Sequence, residues 1–209
     1  VEAQNRELEI EASLERIRAV AMSMHSGDRL LDICRVLFDE LMVLGFTSLR
    51  CALIHIFFEG KDYYIDYDYA DITGGQISKV PLAAPEKVES FFERIRSSAD
   101  AFDERVYEGD DLEKLKIWRK STGQINDPRI NDAKELYYYS YSIGSGNIGI
   151  STFQKITGKQ LKTLQRFRNV FELAYKRYLD VSNAEAQARE AQVEAALERI
   201  RSRAMAMRT

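Results

Sequence analysis

The chain has 209 residues, 45% hydrophobic and 30% charged, and its 30 basic and 33 acidic side chains leave a net charge of −3. These are the proportions of a soluble globular protein, and no apolar run approaches the roughly 20 residues that span a bilayer, so no membrane partner is expected. Without a long basic block, nucleic-acid or anionic-lipid binding lacks electrostatic support, and two cysteines, Cys34 and Cys51, build no disulfide framework. A reducing cytoplasm is the expected compartment.

The first helical phrase returns at the other end. Val1 to Met24 laid over Ala184 to Met207 gives 15 identities in 24 places. They include Arg16/Arg199, Ile17/Ile200, Arg18/Arg201 and Met22/Met205, which helix propensity does not dictate, so duplication is the expected cause. The chain is expected to be one unit of an array, with a copy of the joining helix on each side. In both copies an apolar residue recurs at spacings of 4, 3, 4 and 3: Ile10, Leu14, Ile17, Ala21 and Met24, then Val193, Leu197, Ile200, Ala204 and Met207. This is a heptad seam flanked by charges, and it predicts a parallel homodimer; the alternative is a helix packed on its own domain.

Ser26-Gly27-Asp28 interrupts the helical pattern, which resumes from Arg29 to Leu44 and stops at Gly45. Ser48 to Phe58 and Asp62 to Asp71 are rich in aromatic and branched residues and are separated by Glu59-Gly60-Lys61, which predicts a β-hairpin. A turn at Thr73-Gly74-Gly75-Gln76 leads to a short strand, Ile77 to Val80. Pro81 and Pro85 precede a helix from Glu86 to Ala99. A strand over Phe102 to Tyr107 and a helix over Asp110 to Lys120 follow, and Ser121 to Asp132 reads as loop. Glu135 to Ile143 and Asn147 to Phe153 form a second hairpin across Gly144-Ser145-Gly146. From Lys159 to Met207 no proline or glycine intervenes. One helix there would run roughly 70 Å and leave its core behind.

This order of elements predicts an α+β fold, an antiparallel β-sheet backed by terminal helices. Leu30 to Gly45 before the first strand, together with LKTLQRFRNVFELAYKRYLDVSNAEAQARE as the closing helix, resembles the GAF domain. EAQAREAQVEAALERIRSRAMAM is similar to the joining helix of bacterial multidomain signalling proteins that string GAF-like units ahead of a sensor histidine kinase or cyclase-type output. The resemblance implies a linker helix over 1–25, a GAF-like sensory domain over 26–180 and a second linker helix over 181–209. It also implies neighbouring GAF-like or output domains as partners in the parent chain.

Catalytic groups are sparse. His25 and His55 stand in no metal-binding spacing, and His25 reads as a solvated residue at a helix end. Some GAF proteins reduce methionine sulfoxide through cysteines, but Cys34 falls on the apolar face of a helix and Cys51 inside a strand, where a thiol is inert. No cyclic-nucleotide signature or bilin-attachment context is present, and no cofactor is assigned. Tyrosine stands out instead. Tyr63, Tyr67 and Tyr69 share one face of a strand, as do Tyr137, Tyr139 and Tyr141. Cross-strand packing accounts for such stripes; a pocket whose hydroxyls orient a small ligand is the functional alternative. The candidate ligand residues are His55, Tyr63, Tyr67, Arg94, Trp118, Tyr139 and Tyr141. The expected function is a non-catalytic sensory or relay module, with a small redox enzyme or a ligand-free spacer as rivals.

Overall fold

The computed structural model describes residues 2–23, 29–124, 126–144 and 146–206. Its elements follow the order α1 (Glu2–Met22), α2 (Leu30–Val43), β1 (Leu49–Phe57), β2 (Tyr63–Ala70), β3 (Gly74–Pro81), α3 (Glu86–Arg96), β4 (Phe102–Glu108), α4 (Gly109–Ser121), α5 (Arg129–Asp132), β5 (Glu135–Ser142), β6 (Gly146–Thr152) and α6 (Gly158–Ala206). The six strands form one antiparallel sheet in the order β3-β2-β1-β6-β5-β4. The fold is α+β. His25 and Met24, with Ser26-Gly27-Asp28, lie outside the described residues, as does Met207.

Both sheet faces are covered, which is why β1 and β6 are buried at every position and do not alternate. On one side α1, α2 and the first half of α6 join Ala52, Ile54, Tyr67, Tyr139, Tyr141 and Ile150 in a single core. On the other, Val88, Phe91, Phe92 and Ile95 of α3 and Leu112 and Leu115 of α4 pack against Leu53, Phe57, Tyr64 and Tyr138.

β3 begins at Gly74, three residues ahead of the expected Ile77, so the two glycines belong to the strand. At Gly75 a Cβ would come within 2.8 Å of Leu31 Cδ2. The missing side chain lets α2 lie against the edge of the sheet. The loop expected over Ser121 to Asp132 contains the short α5.

The N-terminal seam requires correction. Ile10, Leu14, Ile17 and Ala21 are 7%, 5%, 0% and 0% exposed within the single chain, packed against α2 and α6. Burial there stabilises by about 1.5–3 kcal/mol per large apolar side chain, so within the single chain this stripe packs into the domain's own core. Polar contacts line its edges. Arg16 Nε and Nη2 donate to the two carboxylate oxygens of Glu40 at 2.5 and 2.6 Å. Arg166 on α6 pairs with Glu7 at 2.7 Å and with Glu11. The C-terminal copy behaves differently. Every residue from Asn183 to Arg203 is exposed, with Val193, Leu197 and Ile200 between 49% and 64%.

Candidate functional site

Strand alternation sets the site's composition. On β2, Tyr64, Asp66 and Asp68 project to the α3/α4 side, while Tyr67 projects to the other. On β1 the pairing with β6 slips between Leu49 and Cys51. Arg50 is the extra residue of this bulge, and its side chain joins Cys51 and Asp68 on the α3/α4 side instead of alternating with them. Its guanidinium is fully buried; Nε donates to Ser151 Oγ at 3.0 Å and Nη2 lies 3.5 Å from Asp68 Oδ2.

Around these residues lies a small cavity of about 30 Å³, walled by Leu53, His55, Tyr64, Asp66 and Asp68 of the sheet, Val88, Phe91 and Phe92 of α3, and Arg105, Tyr107 and Tyr138. Leu115, Trp118 and Arg119 of α4, with Gln124, complete it. The His55 ring sits 4.8 Å from that of Tyr64 and 6.2 Å from that of Phe91. Its Nε2 is 3.2 Å from Asp66 Oδ1, but off hydrogen-bond geometry, so Asp66 Oδ1, Asp68 Oδ1 and His55 Nδ1 are buried polar atoms without a hydrogen-bond partner. Leaving such a group unpaired costs about 1–3 kcal/mol. Three around one cavity form a polar cradle. Burial drives the Asp68 carboxyl up, Arg50 opposes it and Asp66 adds to it. Burial likewise pushes the Tyr64 hydroxyl up and the Tyr107 hydroxyl to about 12, so both remain O–H donors at neutral pH.

A second, larger space adjoins this one. An open cleft of about 630 Å³ lies between α4 and the 122–131 segment, lined by Lys116, Ile117, Lys120, Asp127, Ile130 and others. Asp127 anchors that segment. Burial works against its charge, but hydrogen bonds from Arg129 at 2.8–3.2 Å outweigh this and hold its carboxyl below the usual range. Arg129 also reaches Asp71 at 3.0 Å and the carbonyl of Arg50 at 3.2 Å, which ties the segment to the sheet. Among the described residues, Arg119 and Gln124 are common to cleft and cavity.

Of the residues expected at a ligand site, the structure brings His55 and Trp118 together at the cavity. Trp118 is fixed by its Nε1, which donates to the Ala83 carbonyl at 2.9 Å. Tyr67, Tyr139 and Tyr141 lie on the opposite face, in the core under α1, α2 and α6, and Tyr63 stacks with Lys79, whose Nζ is 3.9 Å from the ring centroid. Arg94 is largely exposed, its Nε 3.6 Å from Asp103, and does not line the cavity. The odd-numbered tyrosines of β2 and β5 therefore do not line the cavity, which takes Tyr64 and Tyr138 from those strands and Tyr107 from β4. Asp66 and Asp68 had a sequence signal: acids alternating with tyrosines in a strand covered on both faces have to be buried. Arg105, Arg119 and Gln124 had none.

Cys34 and Cys51 are fully buried, and burial is the main cause pushing both thiols well up, which makes them poor nucleophiles. Among the described residues no group of three metal-ligating side chains gathers, and no helix is long and apolar enough to cross a membrane.

No family model and no curated protein matches this chain. Among solved structures it is similar to the phycoerythrobilin-bound GAF domain from a cyanobacterial phytochrome, at 14% identity and a TM-score of 0.46, over 85% of this chain and 97% of that one. A likeness of this size gives neither a family nor a ligand.

Proposed function

We propose that the chain is a GAF-like sensory module that binds a small N–H-bearing molecule in the cavity between the sheet and the α3/α4 layer and relays occupancy to α6. The observation that carries this is the cradle of unpartnered atoms on His55, Asp66 and Asp68. The Asp66 and Asp68 oxygens that lack a hydrogen-bond partner accept hydrogen bonds when ionised, so a ligand that donates N–H groups satisfies them; the rings of Tyr64, Phe91 and Tyr138 suit a planar heterocycle. A volume of about 30 Å³ holds only a water or two. Entry of anything larger requires the side chains around the cavity to part, Arg119 and Gln124 beside the outer cleft among them.

The relay rests on adjacent residues of β5. Tyr138 faces the cavity, while the Tyr139 hydroxyl on the opposite side accepts a hydrogen bond from the Ile156 N–H at 3.1 Å, two residues before α6 begins. A shift of β5 at the ligand is thereby felt at the root of α6. Such a module acts by binding, without catalysis, and serves a cytoplasmic signalling chain with neighbouring sensory or output domains. Its self-association rests on the exposed half of α6, because the α1 stripe is buried in its own domain.

The small cavity favours one rival, a spacer without a ligand. Thermal-shift screening of amidines, aminopyrimidines and purines decides between them, since binding to the native state raises apparent stability. Compounds that raise the wild-type Tm, keep their effect on Tyr141→Phe and lose it on Asp68→Asn support the sensory reading. No shift from any compound, or equal shifts on Asp68→Asn, supports the spacer.

A further inference from the structure

The two copies of the repeated phrase meet opposite fates: one is buried on its domain and the other is bare. The buried copy shows what the phrase is built to touch. Outside its own helix, α1 makes its polar contacts with Arg6 to the Leu44 carbonyl, Glu7 and Glu11 to Arg166, and Arg16 to Glu40. All four side chains recur unchanged in the second copy, as Arg189, Glu190, Glu194 and Arg199. Of the five buried positions of α1, Leu14, Ile17 and Ala21 recur as Leu197, Ile200 and Ala204, while Ile10 and Ser13 are replaced by the smaller Val193 and Ala196. One partly buried position departs from this match: Val20, packed against the same core, is replaced by the longer, charged Arg203.

We propose that the exposed 184–203 segment of α6 docks on the α2/α6 face of a second copy of this domain, in the seat that α1 holds within its own chain. Leu197 and Ile200 take the positions of Leu14 and Ile17, Arg199 pairs with the other copy's Glu40, and Glu190 and Glu194 pair with its Arg166. Within this chain the second half of α6 packs no apolar face from Asn183 to Arg203, and most helical stability in proteins comes from such packing. Within one chain the segment cannot reach the seat, because it continues the same unbroken helix whose first half forms one wall of it. Between chains it competes with α1, which is tethered beside the seat and holds it at low concentration. Exchange in both directions gives a closed two-fold dimer.

Light scattering on the full chain tests this, with circular dichroism to confirm folding. Wild type is expected to be monomeric at low micromolar concentration. Weakening α1 by Leu14→Asp with Ile17→Asp frees the seat and produces a dimer, and adding Leu197→Asp with Ile200→Asp returns the monomer. A folded α1 variant that stays monomeric overturns the proposal. So does a wild-type dimer that ignores the α1 substitutions and is lost on Leu197→Asp, since that is a coiled coil between tails. Charge exchange keeps the test decisive if the α1 variant does not fold. Glu40→Arg with Arg199→Glu restores only the intermolecular pair, and Glu40→Arg with Arg16→Glu only the internal one. The first is expected to associate about fivefold more tightly than the second; equal association in both overturns the proposal.

Discussion

Arg119 Nη1 donates a hydrogen bond to Gln124 Oε1 at 2.9 Å, and both side chains line the inner cavity and the outer cleft. Trp118, the single tryptophan of the chain, lines the cavity beside it. Gln124→Ala removes the acceptor and part of the wall, so acrylamide is expected to quench Trp118 fluorescence more strongly in that variant than in wild type. Ile117→Ala, on the exposed side of α4, serves as the control and leaves quenching unchanged. Equal quenching in Gln124→Ala and wild type would mean that the pair does not shield Trp118.

Tyr139→Phe deletes the acceptor for the Ile156 N–H and leaves a buried donor unpaired, at a cost of about 1–3 kcal/mol. Tyr141→Phe, on the same strand face, is expected to cost less, because it removes no acceptor from the Ile156 N–H. Urea denaturation of both variants beside wild type measures the difference. A Tyr139→Phe variant as stable as Tyr141→Phe would remove the bond on which the relay to α6 depends.

Glu40 and Asp68 give pH dependences of opposite sign. For Glu40, burial works against the charge, but hydrogen bonds involving Arg16 and Ser13 outweigh it and hold the carboxyl below its ordinary value. Its contribution to stability is present above an unfolded value of about 4.3 and is lost as pH falls through the depressed folded one. For Asp68, raised mainly by burial, the contribution is present below about 3.9 and is lost as pH rises through the folded value. Relative to wild type, Glu40→Gln should therefore become more destabilising as pH rises from acid toward 5. Asp68→Asn should become less so from pH 4 toward neutrality. Urea melts at several pH values check both slopes, and slopes of the same sign would contradict the assignment.

Ile17 and Ile200 occupy the same place in the repeated phrase, yet one is 0% exposed and the other 64%. Ile17→Ala is expected to cost about 2–5 kcal/mol and Ile200→Ala less than about 0.5 kcal/mol in the monomer. Chemical denaturation at low protein concentration measures each. Equal costs would show that the two copies share one environment.

The contrast also marks where reading the sequence stopped. Spacings of 4 and 3 along Ile10, Leu14, Ile17 and Ala21 describe an apolar stripe, and a stripe looks the same whether a partner helix or the parent domain covers it. The layered α+β fold was legible because both hairpins carry strong turn chemistry at Gly60 and Gly144 and because helix and strand periods separate cleanly. The site was less so. Alternation shows that Tyr67 and Asp68 point to opposite faces of β2, but not which face holds the cavity; that depends on α3 and α4 lying where their aromatic side chains leave polar atoms uncovered. His55 and Trp118 were accessible as isolated polar aromatics. The contribution of Arg119 and Gln124 arises only when the end of α4 meets the segment after it. The Arg50 bulge was invisible for a similar reason, since register is a property of the strand pair and not of either strand.

Hydrogen–deuterium exchange on the full chain, alone and with a heterocycle that raises its Tm, tests the central claim most directly, because it reads cavity and helix root in one experiment. Bound compound is expected to slow exchange in β2 around Asp66 and Asp68 and in the segment around Gln124. It should also change exchange in the first turns of α6 after Gly158, across the sheet from the cavity. Protection confined to the cavity side, with α6 unchanged, would contradict the relay, and protection that misses the cavity altogether would contradict the site.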